Sequence, residues 1–184
     1  MPGGHTVALA GLPILSDHVA FLIDFSGSLW RVNDAGRSRK QIVDEKMRAM
    51  LESLPASTRF NVIPYTAEPH AWREELVPAS PTNVERAARD FEACQKRGKG
   101  NFYAAALLAL RDPQVDTIVA LTDGVPTGGH RFQLDLLFEA LLEENRTRCV
   151  FFDAIVVDAP GGVQRKWSAF CSQTGGRAIE IELE

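Results

Sequence analysis

Two short apolar runs, each followed by an acidic residue at a turn, constrain the fold of this chain more than any other feature. Residues 19–23 (Val, Ala, Phe, Leu, Ile) lead directly into Asp24, and residues 117–121 (Thr, Ile, Val, Ala, Leu) lead through Thr122 into Asp123 and Gly124. Unbroken apolar runs of this length, bounded by turn residues, are the pattern of strands buried on both faces. Such strands belong to parallel sheets covered by helices.

The intervening segments supply those helices. Ile42, Val43, Met47, Met50, Leu51 and Leu54 recur at helical spacing, with Ser38 as the N-cap and Pro55 at the end. Residues 59–65 read as a second strand, in which Pro64 argues for an edge or a strand end. Residues 72–77 read as a short extended piece returning along that edge. A helix starts at Pro81 and carries Val84, Ala87, Ala88, Phe91 and Cys94 inward, and residues 102–110 form a compact apolar helix. A helix over 131–144, a strand over 150–157, a helix carrying Val163, Trp167, Phe170 and Cys171, and a closing strand over 177–181 complete the alternation. The fold expected is α/β, with a doubly wound, mostly parallel central sheet flanked by helices on both faces. Residues 1–17 read as a lead-in and residues 18–184 as one domain.

With 20 basic and 24 acidic residues the net charge is −4, and the basic residues are scattered along the sequence. This gives no footprint for nucleic acid. The densest basic cluster, Arg37, Arg39 and Lys40, reads as solvated. No apolar run approaches the roughly 20 residues of a membrane-spanning helix, and residues 7–15 are a poor signal peptide. Cys94, Cys149 and Cys171 are odd in number and lack C-x-x-C spacing, so they read as buried free thiols rather than a disulfide framework or zinc site. Their presence leans towards a reducing, cytoplasmic compartment.

Asp24, Ser26 and Ser28 place a carboxylate and two hydroxyls at alternate positions where a strand ends, with Gly27 between the hydroxyls. Hard oxygen donors on one loop suit a hard divalent cation such as Mg²⁺. In a parallel sheet the carboxyl ends of the strands share one edge, so Asp123 joins Asp24 there. Taken singly, each motif also reads as an ordinary Asp/Ser turn. Phe25, between the ligand positions, reads as packing underneath, Trp30 as either an interface anchor or core, and His130 as a rim residue. Asp153, an acid inside an apolar strand, reads as edge-exposed or hydrogen-bonded for structural reasons.

The order of these motifs resembles the von Willebrand factor type A domain, and bacterial members in particular. The resemblance rests on the stretch from Phe21 to Ser28, on residues 54–63, on Gly100, Asn101, Phe102 and Tyr103, and on Thr122, Asp123 and Gly124 followed by Pro126, Thr127, Gly128 and Gly129. It implies a metal-ion-dependent adhesion site with Asp24, Ser26, Ser28 and Asp123 as ligands. It also implies a non-enzymatic binding module whose cation, Mg²⁺ or else Mn²⁺ or Ca²⁺, engages a carboxylate of a protein partner, often within a larger chain. One departure stands out. Gly100 falls where the family carries a threonine ligand, and Asn101, one position on, is the substitute candidate. On this reading Gly100→Thr supplies a missing oxygen. Two alternatives stand beside it: an interaction domain with a degenerate metal site, and a haloacid dehalogenase-like phosphotransferase. The latter needs a second acid where this chain has Ser26.

Overall fold

The computed structural model describes residues 7–9, 12–14, 16–32 and 36–182, with side chains described from residue 16 onward. Strands β1 (Val7–Leu9) and β2 (Leu12–Ile14) pair with each other as an antiparallel hairpin outside the main sheet. The main sheet contains β3 (His18–Asp24), β4 (Arg59–Tyr65), β5 (Val77–Pro78), β6 (Thr117–Thr122), β7 (Phe151–Val157) and β8 (Ala178–Ile181). Its order is β5-β4-β3-β6-β7-β8. Every pairing is parallel except that of β4 with β5.

The two faces divide the core by the period of two along each strand. Ala20, Leu22, Ile63, Tyr65, Ile118, Ala120, Ala154 and Val156 face one way. They are covered by α3 (Phe102–Leu110), α4 (Leu134–Asn145) and α5 (Gly161–Gln173). Val19, Phe21, Ile23, Phe60, Val62, Val119, Leu121 and Ile155 face the other way, against α1 (Arg39–Ser53) and α2 (Pro81–Glu92). The doubly wound fold read from the sequence is the one observed.

Local chemistry sets the helix ends. Ser38 and Gln41 form a reciprocal capping box at the start of α1, a feature worth about 1 kcal/mol. Ser80 caps α2 with Pro81 at the first helical position. α4 begins at Leu134 without a side-chain cap, three residues later than the pattern suggested.

Several expectations need correction. The extended piece at 72–77 is a strand only at Val77–Pro78; upstream, Trp72 makes a backbone bond to Val62 at 2.8 Å without continuing the ladder. Lys40 is not solvated but 3% exposed. Its ammonium pairs with Asp44, lies over the Phe25 and Phe91 rings at 5.3 and 5.0 Å, and donates to the Phe91 and Glu92 carbonyls. A cation is favoured there because the carbonyls end α2, the negative pole of its dipole. The three cysteines are free, but only Cys171 is buried, and Cys149 is exposed.

Candidate metal site

β3 and β6 lie side by side and in parallel, with Ile23 opposite Leu121. One step further along, Asp24 and Thr122 come opposite each other on the α3 side of the sheet. On the other flank Tyr65 is in register with Asp24. The result is a row of three polar side chains, Tyr65, Asp24 and Thr122, at the carboxyl edge of the sheet.

The acids and hydroxyls expected to meet do meet. Asp24 is 7% exposed, and its Oδ1 accepts from the Ser26 backbone at 2.8 Å. The Ser26 and Ser28 hydroxyls lie 3.0 Å apart, and Ser28 donates to Asp123 Oδ2 at 2.6 Å. A chain of hydrogen bonds therefore links the two strand ends: the Ser26 backbone holds Asp24, and the Ser26 and Ser28 hydroxyls lead on to Asp123. Thr122 adds a donor to Asp24 Oδ2 at 3.2 Å.

Electrostatically this arrangement is strained. Burial, and secondarily the charge on Asp123, push the Asp24 carboxyl up to about 6, against the lowering effect of its bonds from Ser26 and Thr122. The Tyr65 hydroxyl is fully buried beside it and meets the geometry of a hydrogen bond with no neighbour, though Asp24 and Thr122 both influence its titration. Burial first, then the Asp24 charge, push that phenol well above its ordinary range.

Two glycines set the remaining walls. Gly124 has φ +84, and a Cβ there would lie 2.6 Å from Val163, so only glycine makes this turn. Its carbonyl accepts from the Trp167 indole at 3.0 Å, tying the Asp123 loop to α5. Gly100 brings the second loop against Asp24, since a Cβ there would lie 2.9 Å from Asp24 Oδ1. Gly100 is itself clasped by Thr127, whose hydroxyl accepts from its N–H at 3.1 Å and whose N–H donates back at 3.2 Å. The space where a threonine would begin is thus already filled by the Asp24 carboxylate.

Asn101 is the N-cap of α3. Its Oδ1 accepts from Ala104 at 3.2 Å, and its Nδ2 donates to the Ala67 carbonyl at 3.2 Å. Phe25 is fully buried edge-on to Phe91, as packing beneath the loop. Trp30 is partly buried under the Arg97 guanidinium, 4.1 Å from its ring centre. His130 is exposed. Asp153 lies inside the sheet rather than on its edge, and accepts from the Arg177 backbone at 2.7 Å.

The donor set tests whether a cation fits. Among the described residues no group of three or more His, Cys, Asp or Glu side chains is placed to hold a metal ion. Here two carboxylates and two hydroxyls gather instead, an all-oxygen set of side-chain donors suited to Mg²⁺, which keeps several of its waters. The Asp24 carboxyl, raised by burial and by the neighbouring Asp123 charge, marks a centre where added positive charge is favourable.

The sheet order, the strand-end acids and the alternating hydroxyls define a doubly wound α/β domain with an oxygen-lined cluster at its carboxyl edge. A family model described as von Willebrand factor type A domain matches residues 17–160, and the chain belongs to that family. It is 34% identical over 137 residues to inter-alpha-trypsin inhibitor heavy chain H2 of Homo sapiens, an alignment covering 68% of this chain and 14% of that protein. Heavy chain H3 of Homo sapiens is 30% identical over 132 residues, covering 65% and 14%. The chain thus spans only about a seventh of the curated relatives it matches. Among solved structures, von Willebrand factor type A from Catenulispora acidiphila superposes with a TM-score of 0.72 at 16% identity, covering 92% of this chain and 40% of that one. The pilus adhesin SpaC from Lactobacillus rhamnosus GG gives 0.69 at 11% identity, covering 89% and 28%. These likenesses show the fold, and the family is one of protein-interaction modules. No helix among the described residues is long and apolar enough to cross a membrane.

Proposed function

We propose that this domain is a non-enzymatic protein-binding module. In this reading Asp24, Ser26, Ser28 and Asp123 hold a divalent cation, Mg²⁺ or else Mn²⁺ or Ca²⁺, which engages a carboxylate of a partner. The observation that carries it is the hydrogen-bonded cluster of two carboxylates and two hydroxyls, from Asp24 through Ser26 and Ser28 to Asp123, across two strand ends. When bound, the cation supplies positive charge and an exchangeable coordination position. The chain's own groups do the rest: the serines and acids hold it, and Thr122 orients Asp24.

Position 26, which the phosphotransferase alternative needs as an acid, is a buried serine facing Ser28. The degenerate-site alternative draws support from Gly100 and from the capping role of Asn101. Titration calorimetry with Mg²⁺ and Mn²⁺ separates it from the working site. Saturable binding by the wild type, lost in Asp24→Ala, supports the cation-dependent module; no heat from either cation supports the degenerate one.

A further inference from the structure

Basic residues that are scattered in sequence converge in the fold. Lys96, Arg97 and Lys99 flank Gly98 and Gly100 on the second loop, where Gly98 bridges to Ser26 and Gly100 reaches Asp24. Arg31 follows the turn that carries Ser28, and its N–H bonds to the Ser28 carbonyl. Arg131 follows the Gly128 and Gly129 loop, which packs on Lys99 and Asn101. All five are exposed, and among the described residues none forms an ion pair. Arg97 and Arg131 lie over the Trp30 and Tyr103 rings, at 4.1 and 5.2 Å, which holds each guanidinium at the rim. A chain with net charge −4 thus carries five exposed cations on the three loops that flank its two central acids. On the loop after Asp123, which leads to Arg131, Val125 and Phe132 are 44% and 53% exposed.

We propose that this edge docks an acidic segment of a protein partner, one carboxylate going to the cation and flanking Asp or Glu side chains meeting Lys96, Arg97, Lys99, Arg131 and Arg31. Val125 and Phe132 receive an apolar side chain of the same segment. The proposal rests on the cation reading for its central contact and on the rim for the rest. A peptide fits better than a phosphate-rich polymer. A polymer of uniform charge must cross Asp24 and Asp123 and gains nothing from Val125 and Phe132, whereas a peptide can place one acid centrally and an apolar residue beside it. Exposed ion pairs are individually weak, so neutralising three rim cations should cost roughly tenfold in affinity.

The test is fluorescence anisotropy with two labelled peptides. One carries a run of Asp and Glu with a single Leu; the other keeps one central Asp and replaces the remaining acids by Asn and Gln. In Mg²⁺ the wild type should bind the acidic peptide about tenfold more tightly, from the same weak pairs. The combined variant Lys96→Gln, Lys99→Gln, Arg131→Gln should remove most of that difference while leaving calorimetric Mg²⁺ affinity in place. Equal affinity of the two peptides for the wild type, no binding of the acidic one, or indifference of the combined variant overturns the proposal. So does a single-stranded DNA oligomer that binds as tightly as the acidic peptide and is lost in the same variant. Should chelator and Asp24→Ala leave acidic-peptide binding intact while the rim variant weakens it, the rim stands and the cation reading falls.

Discussion

The Thr122 hydroxyl donates to Asp24 Oδ2 at 3.2 Å across the β3–β6 boundary, while accepting from the Gly124 N–H at 3.0 Å. One side chain thereby fixes both the buried acid and the turn that presents Asp123. Partners that orient a ligand carboxylate typically matter about 10- to 100-fold in metal affinity.

Thr122→Val keeps the shape of the side chain and removes the hydroxyl. It should weaken Mg²⁺ binding by about tenfold in calorimetry, within that range, with the fold intact by circular dichroism. Thr122→Ser should restore most of the affinity. Wild-type affinity in the valine variant would show that Thr122 does not orient Asp24.

The sequence-level expectation for Gly100→Thr changes sign once the Asp24 carboxylate is seen 2.9 Å from where the new Cβ would stand. Asp24 is anchored by Ser26 and Thr122, so it cannot give way without losing those bonds. Gly100→Thr and Gly100→Ala should both lower thermal stability and weaken Mg²⁺ binding. Tighter binding by the threonine variant would mean that the second loop has room the structure does not show.

What could be read from sequence followed from burial. Strands covered on both faces leave unbroken apolar runs, so β3, β6 and β7 were legible, and the acids after β3 and β6 placed both halves of the site on one edge. The short β5 was not, because its pairing with β4 spans only Arg59–Pro78 and Phe60–Val77, too little to leave a periodicity. Thr122 and Tyr65 are not legible in the sequence as neighbours of Asp24, because their proximity depends on register between strands, with 98 residues separating Thr122 from Asp24. The basic rim was hidden for the same reason: its members come from three separate loops. A threonine directly before Asp123 was the one available clue.

Asp153 offers a pH test remote from the site. Burial holds its carboxyl above the ordinary carboxylate range, despite the bond from the Arg177 backbone. A raised acid binds its proton more tightly in the folded state, so its contribution favours folding below the ordinary Asp pKa and is lost as pH rises through the folded value. Asp153→Asn keeps an acceptor for Arg177 and removes the charge. Chemical denaturation at acidic and neutral pH should show the variant gaining stability over the wild type as pH rises. A gap that does not change with pH would exclude Asp153 as its source.

In the proposed site one divalent cation is held jointly by the β3 and β6 strand ends. Anomalous diffraction from crystals grown in Mn²⁺ tests it most directly. A single anomalous peak is expected at bonding distance, about 2 Å for hard cations of this size, from the Ser26 and Ser28 hydroxyls and adjoining the Asp24 and Asp123 carboxylates, and it should disappear in Asp24→Ala crystals. No peak there at saturating Mn²⁺, or a peak elsewhere that survives Asp24→Ala, would contradict it.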